Sequence, residues 1–161
     1  MRVLAASHEF WHEAVQRTKI KSPFELAVGA LRALQVDVRN PRPAFRWIAR
    51  MGLPLYAYQQ PTGYPDRAEA WMNAGTLVTR MNFGLELALG RIRGIRIAMR
   101  TPDGNGQSDA ALLETYAGIL LPERDLPETL RELAPTIPVK PDKQAAKAVG
   151  LILGSLEFQY H

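Results

Sequence analysis

Cysteine is absent from this chain of 161 residues, which excludes disulfide frameworks, thiolate metal sites and a cysteine nucleophile together. No stretch approaches the roughly eighteen uninterrupted apolar residues that a membrane span requires, so no membrane contact is expected. The opening Met1-Arg2-Val3-Leu4-Ala5-Ala6 carries one charge and a very short apolar run. A secretory leader needs a longer run and a cleavage site, so the chain as written is expected to stay in the cytoplasm. Acid is in modest deficit, with 16 Asp and Glu against 20 Lys and Arg, a formal charge of +4. Fifteen of those cations are Arg, scattered along the chain. Such an excess permits contact with anions but predicts no specific nucleic acid. What remains is 47% apolar and 22% charged, the composition of one ordinary globular domain.

The periodicity is helical almost throughout. Ser7 opens a short segment to Gln16 in which Phe10, Trp11, Ala14 and Val15 form an apolar stripe. Ser22-Pro23-Phe24-Glu25 places a cap, a first-turn proline and a Glu three residues on, the signature of a helix start. Apolar residues at Phe24, Ala27, Val28, Leu31 and Leu34 then predict a helix over about 23–35. Pro41 and Pro43 open a third helix through Phe45, Trp47, Ile48 and Met51, which Gly52 stops. Residues 53–66 are rich in Pro, Gly and Tyr and exclude regular structure. Asp66 with Glu69 forms a second capping box, and Asn73 caps the longest helix, about 74–90, on the stripe Leu77, Val78, Met81, Leu85 and Leu89.

Residues 91–107 are the least helical, a short strand or an extended arm that ends in the loop Thr101-Pro102-Asp103-Gly104-Asn105-Gly106. Ser108 caps a helix through Leu120, and another runs from about Pro122 to Leu133. Pro135, Pro138 and Pro141 read as a stiff linker. The last long helix, about 143–154, is apolar nearly all round and is expected at the centre. One echo stands out. Val3-Leu4-Ala5-Ala6-Ser7-His8-Glu9-Phe10 parallels Leu151-Ile152-Leu153-Gly154-Ser155-Leu156-Glu157-Phe158, an apolar run followed by Ser-x-Glu-Phe, 148 residues later. It reads as one local device, a helix end joined to a capped helix start, used twice.

Several patterns carry chemistry. His8-Glu9-Phe10-Trp11-His12 satisfies H-E-x-x-H, in which two histidines one turn apart grip zinc while the Glu activates water. The echo offers a simpler account, because Glu157 has the same place in the second copy with Leu156 and Tyr160 where the histidines stand. Asp103, Asn105, Gln107, Asp109 and Glu114 fall at positions 1, 3, 5, 7 and 12 of a calcium loop. Ser108 stands where its sharp-turn glycine belongs, so a polar turn before a capped helix competes with it. Gly106-Gln107-Ser108-Asp109-Ala110 is one residue short of a nucleophile elbow, but no strand leads into it. Arg91, Arg93, Arg96 and Arg100 can bind phosphate or carboxylate, or form a solvated face. Tyr56, Tyr58, Tyr64 and Trp71 either line a pocket or pin the irregular segment onto helices.

Glu9-Phe10-Trp11, Lys19-Ile20-Lys21-Ser22-Pro23-Phe24-Glu25, Ala30-Leu31-Arg32-Ala33-Leu34, Gly63-Tyr64-Pro65-Asp66 with Ala70-Trp71, Arg80-Met81-Asn82-Phe83 and the closing Leu-Gly-Ser-x-Glu-Phe-Gln occur together and in order. In these the chain resembles the bacterial family of uncharacterised proteins known as domain of unknown function 1800, over most of residues 3–161. The resemblance implies that the chain corresponds to the carboxy-terminal third of longer, often exported members, with surface exposed by truncation that favours self-association. The family pattern has Pro where His8 stands and no fixed His at position 12, so the H-E-x-x-H match is local to this chain. The resemblance also implies, for small stand-alone members, hydrolysis of N-acyl homoserine lactones aided by calcium.

The expectation is therefore an all-α domain over 1–161, an irregular bundle of seven or eight helices with a long Pro/Gly/Tyr-rich connection. Two functions stand open. One is a hydrolase opening an acyl homoserine lactone with a divalent metal, calcium at Asp103–Glu114 ahead of zinc, and with His8, Glu9 and His12 as the catalytic group. The other is a non-catalytic helical interaction module of a larger exported protein.

Overall fold

The computed structural model describes residues 3, 6–7, 19–65, 67–97, 108–122, 128–136 and 143–160. Among them lie eight helices and one two-stranded ribbon: α1 (Pro23–Ala33), β1 (Asp37–Val38), α2 (Arg42–Arg50), α3 (Ala68–Trp71), α4 (Ala74–Ala88), β2 (Ile95–Arg96), α5 (Asp109–Leu120), α6 (Glu128–Thr136), α7 (Gln144–Gly154) and α8 (Leu156–Gln159). The chain is all-α, as its periodicity predicts. No helix among the described residues is long and apolar enough to cross a membrane.

The starts and stops are local chemistry. Ser22 Oγ accepts from Glu25 N–H while Glu25 Oε2 accepts from Ser22 N–H, which completes the capping box of α1. Asn73 and Thr76 exchange the same pair of bonds at the start of α4. Ser155 caps α8 by accepting from Phe158 N–H, so the second copy of the echo is the device its sequence suggested. The first copy, His8–Phe10, lies outside the described residues. Three helices end alike, with a left-handed residue and the two backbone bonds of a Schellman motif. Gly52 (φ 103°) ends α2, Gly90 (φ 65°) ends α4, and Gln35 (φ 49°) ends α1 two residues short of the sequence expectation.

Helix α7 is the centre of the fold and packs between α4 and α5. Its residues Ala145 to Gly150, with Ile152 and Leu153, are all buried, in accordance with their nearly continuous apolar run. The seam with α4 is close because glycine lines it. A Cβ at Gly84 would stand 2.8 Å from Leu153 Cβ, and one at Gly150 would stand 3.3 Å from a methyl of Leu85. Dispersion contacts along such a seam need the two backbones near one another.

Three expectations are corrected. In α4 the buried face is Arg80, Phe83, Gly84, Leu87 and Ala88, while Val78, Met81 and Leu85 of the expected stripe are exposed. The close seam selects the glycine face, and Met81 and Leu85 flank it beside Gly154 and Gly150 of α7 with much of their surface left exposed. In α1 the buried face is Pro23, Leu26, Ala27 and Ala30, and Phe24 is exposed. Pro135 lies inside α6 and not in a linker. In this last turn the proline removes the N–H that would bond the Arg131 carbonyl and brings the helix to its end, and the Ala134 carbonyl there is taken up by Lys147 Nζ at 2.6 Å. Of the two alternatives for the least helical segment, the short strand is found at Ile95–Arg96, paired antiparallel with Asp37–Val38, a partner too short to show a period of two.

The seam yields a direct expectation. Gly84→Ala should lower stability to urea by about 1–3 kcal/mol, because Leu153 must move. Gly29→Ala in α1, with nothing within 4 Å of the added carbon, should raise it by about 0.5–1 kcal/mol.

Candidate functional site

The described half of the calcium-loop pattern is Asp109 and Glu114, both on α5. Ser108 caps this helix, its Oγ accepting from Ala111 N–H at 3.2 Å. Asp109 follows as the first helical residue, where a carboxylate is favoured by the positive helix start. Five residues of helix put Glu114 about 140° away around the axis, and the two side chains meet different cations. Lys147 Nζ donates to Asp109 Oδ2 at 2.7 Å and to the Ala134 carbonyl. The ammonium is thus held where α5 begins, α6 ends and α7 starts, with 7% of its side chain exposed. Asp109 Oδ1 is buried with no hydrogen bond. Glu114 Oε1 accepts twice from Arg131 on α6, at 2.9 and 3.2 Å, on the open surface. That bond and charge hold the Arg131 guanidinium above its ordinary range.

Electrostatically these two carboxylates are neutralised from within the chain. Asp103, Asn105 and Gln107, and with them His8, Glu9 and His12, lie outside the described residues. Among the described residues no group of three His, Cys, Asp or Glu comes together as a metal site would need. Ser108 spends its hydroxyl as a cap.

The aromatic segment resolves toward pinning. The Tyr64 hydroxyl donates to the Pro54 carbonyl, and its ring stands 4.3 Å from that of Tyr58 and 6.1 Å from that of buried Trp71. Tyr56 points fully into solvent on a left-handed backbone (φ 62°). The stack fastens the irregular 53–65 stretch to the short α3.

A second polar cluster escaped the sequence reading. Arg80 on α4 has no exposed surface. It donates through Nη1 to Gln159 Oε1 and through Nη2 to the Lys21 carbonyl, both at 2.8 Å. Gln159 Nε2 in turn donates to the Leu153 carbonyl at 3.1 Å. Lys21 N–H donates to the Gln159 carbonyl, and Lys21 Nζ donates to that of Phe158 while lying over its ring. Ile20 bridges Tyr160 beside them. Burial draws the Arg80 guanidinium down to about 10, still charged at neutral pH. Its signal in the sequence was a single cation in a helix whose one other charge, Glu86, stands six residues on, and Lys147 is likewise the single charge of α7.

The family described as Protein of unknown function (DUF1800) matches residues 1–160, so the chain belongs to that family. No curated protein and no solved structure matches it.

The Lys147 site predicts a clear asymmetry. Asp109→Asn leaves the buried ammonium short of its counter-charge and should cost about 3 kcal/mol in urea unfolding. Glu114→Gln, which removes only the surface pair, should leave the midpoint where it was.

Proposed function

We propose that this member of the family is a non-catalytic helical module that acts by packing the outer face of α4 against another folded surface, and that in isolation the surface is a second copy of the chain. One observation carries this reading. Beyond its buried face, helix α4 carries an apolar edge that is only partly used inside the chain: Met81 and Leu85 reach Gly154 and Gly150 of α7 yet stay well exposed, and Val78 is more exposed still. Phe83, Gly84, Leu87 and Ala88 are buried, whereas Val78, Met81 and Leu85 are 57%, 49% and 43% exposed at i, i+3 and i+7 spacing. Asn82 and Ala74 lie exposed on the same helix, which turns no charge outward except Glu86, itself paired with Arg91. Surface helices ordinarily present a polar face to water, and a contiguous apolar patch on a soluble protein marks a contact surface. A face without charge also meets its own copy without repulsion, which a two-fold pairing requires. The polar groups buried in this chain are spent on holding helices together, which agrees with a role in assembly.

A second reading, hydrolysis of an N-acyl homoserine lactone with a divalent cation, is favoured by Asp109 Oδ1. It is a buried carboxylate oxygen with no donor, directly after the Asp103–Gln107 segment. In that reading Asp103, Asn105, Gln107, Asp109 and Glu114 would hold calcium, which would supply Lewis-acid polarisation of the lactone carbonyl. Water adds to that carbon and the ring C–O bond breaks, leaving a carboxylate and a free hydroxyl. His8, Glu9 and His12 then supply the base.

One preparation tests both. Light scattering across a concentration series should show a dimer in the micromolar range, and Val78→Glu, which leaves Met81 and Leu85 in place against α7, should make it monomeric with unchanged helix content. A chain that stays monomeric up to about 100 µM would contradict the packing reading. Mass spectrometry of the same protein incubated with acyl homoserine lactones should show no ring-opened product above a heat-killed control. Product that disappears with chelator and returns with Ca²⁺ would establish the second reading instead.

A further inference from the structure

The formal charge of +4 is not spread over the chain. From Val38 to Pro65 there is no Asp or Glu, and the stretch carries Arg39, Arg42, Arg46 and Arg50. The remaining cations, 20 − 4 = 16, are matched by the 16 acidic residues elsewhere. A second acid-free stretch, Leu87 to Pro102, carries Arg91, Arg93, Arg96 and Arg100, so the local excess falls on α2, the residues leading into it and the segment around β2.

The fold arranges these charges. Ala44 and Ile48 are buried, which fixes the rotation of α2 and leaves Arg42, Arg46 and Arg50 as one exposed row at i, i+4 and i+8. The row is about 12 Å long. Like charges at this spacing destabilise a helix, so the row works against the element that bears it. It is extended at its amino-terminal end. Arg39 N–H and Asn40 N–H both donate to the Gly94 carbonyl, and Gly94 abuts Asn40 so closely that a Cβ would come within 2.6 Å. That contact brings the turn bearing exposed Arg93 to the start of α2, while exposed Arg96 stands across the ribbon from Asp37. The ribbon's one acid, Asp37, is paired with Arg39 at 3.1 Å. Among the described residues Arg42, Arg46, Arg93 and Arg96 form no ion pair. Phe45, 47% exposed, lies along the edge of the row.

We propose that this face binds an acidic amphipathic helix of a protein partner, its carboxylates seated on the arginine row and its apolar edge on Phe45. This goes beyond the packing of α4 and uses a different surface, so either can fail alone. Guanidinium forks take carboxylates two bonds at a time. Glu at every fourth residue of a helix repeats at the spacing of the arginines. Nucleic acid fits less well. Single strands want aromatic faces on which bases stack, and the Trp47 ring is covered by Arg50 at 4.4 Å and packs on Phe83 at 5.9 Å.

The test is fluorescence anisotropy of a labelled synthetic helical peptide with Glu at i, i+4 and i+8 beside a Leu stripe, titrated with the full chain. Binding should weaken steeply as salt rises from about 0.05 M to about 0.5 M. Arg42→Glu with Arg46→Glu should weaken it at least about tenfold. Arg32→Glu with Arg67→Glu changes net charge equally at other exposed sites and should leave it within about twofold. All four positions are exposed, and circular dichroism confirms that each variant folds. Equal weakening in both variants would reduce the effect to net charge and overturn the proposal, as would no binding of the peptide. Tighter binding of a mixed-sequence DNA duplex than of the peptide would overturn it in favour of a nucleic-acid face.

Discussion

A fully buried arginine governs how this chain is put together. Removing a guanidinium from water is expensive, and burial lowers the Arg80 group to about 10, so at neutral pH the charge is retained and its desolvation must be offset locally. The groups that hold it are neutral acceptors, Gln159 Oε1 and the Lys21 carbonyl. The Nε atom is left without a partner. The linkage has a definite sign. Between about 10 and the ordinary arginine value the unfolded chain binds the proton more readily than the folded one, so stability attributable to this group rises with pH in that window. Below it the cost is constant.

The three segments joined by Arg80 are far apart in sequence and are among the strings in which the chain resembles the family: Lys19–Glu25, Arg80–Phe83 and the closing Ser155–Gln159. Lys21 offers its carbonyl, its N–H and its ammonium to the cluster, and Gln159 offers both ends of its amide. Next to Arg80 on α4, Gly84 lets α7 approach. The residues that mark the family therefore read as a description of how α1, α4, α7 and α8 are held, which is why they point to architecture more readily than to a reaction. The same economy applies to Lys147, which fastens the ends of three helices through Asp109 and the Ala134 carbonyl.

Local devices were legible in the sequence. Ser22, Asn73, Ser108 and Ser155 cap where their spacing places them, Gly52 ends its helix, and the apolar run 145–153 is central. The orientation of helices was less so. In α4 the larger hydrophobes suggested one buried face, and the structure centres burial on the neighbouring one and leaves that stripe at its edge, because close approach rewards small residues and periodicity weighs large ones. The β1–β2 pairing depends on a contact between Gly94 and Asn40 that no local pattern encodes. Of the candidate site, Asp109 and Glu114 were found as residues, but their partners Lys147 and Arg131 belong to other helices, and only the fold brings them together.

The most direct test of this account is a double-mutant cycle in urea on Arg80→Met and Gln159→Leu. Each single change should cost about 3 kcal/mol, since it strands a buried group that the other was holding. The double change should fall short of their sum by about 1 kcal/mol or more. Single changes that each stay within about 0.5 kcal/mol of the parent chain would contradict the claim that this buried cluster holds the fold.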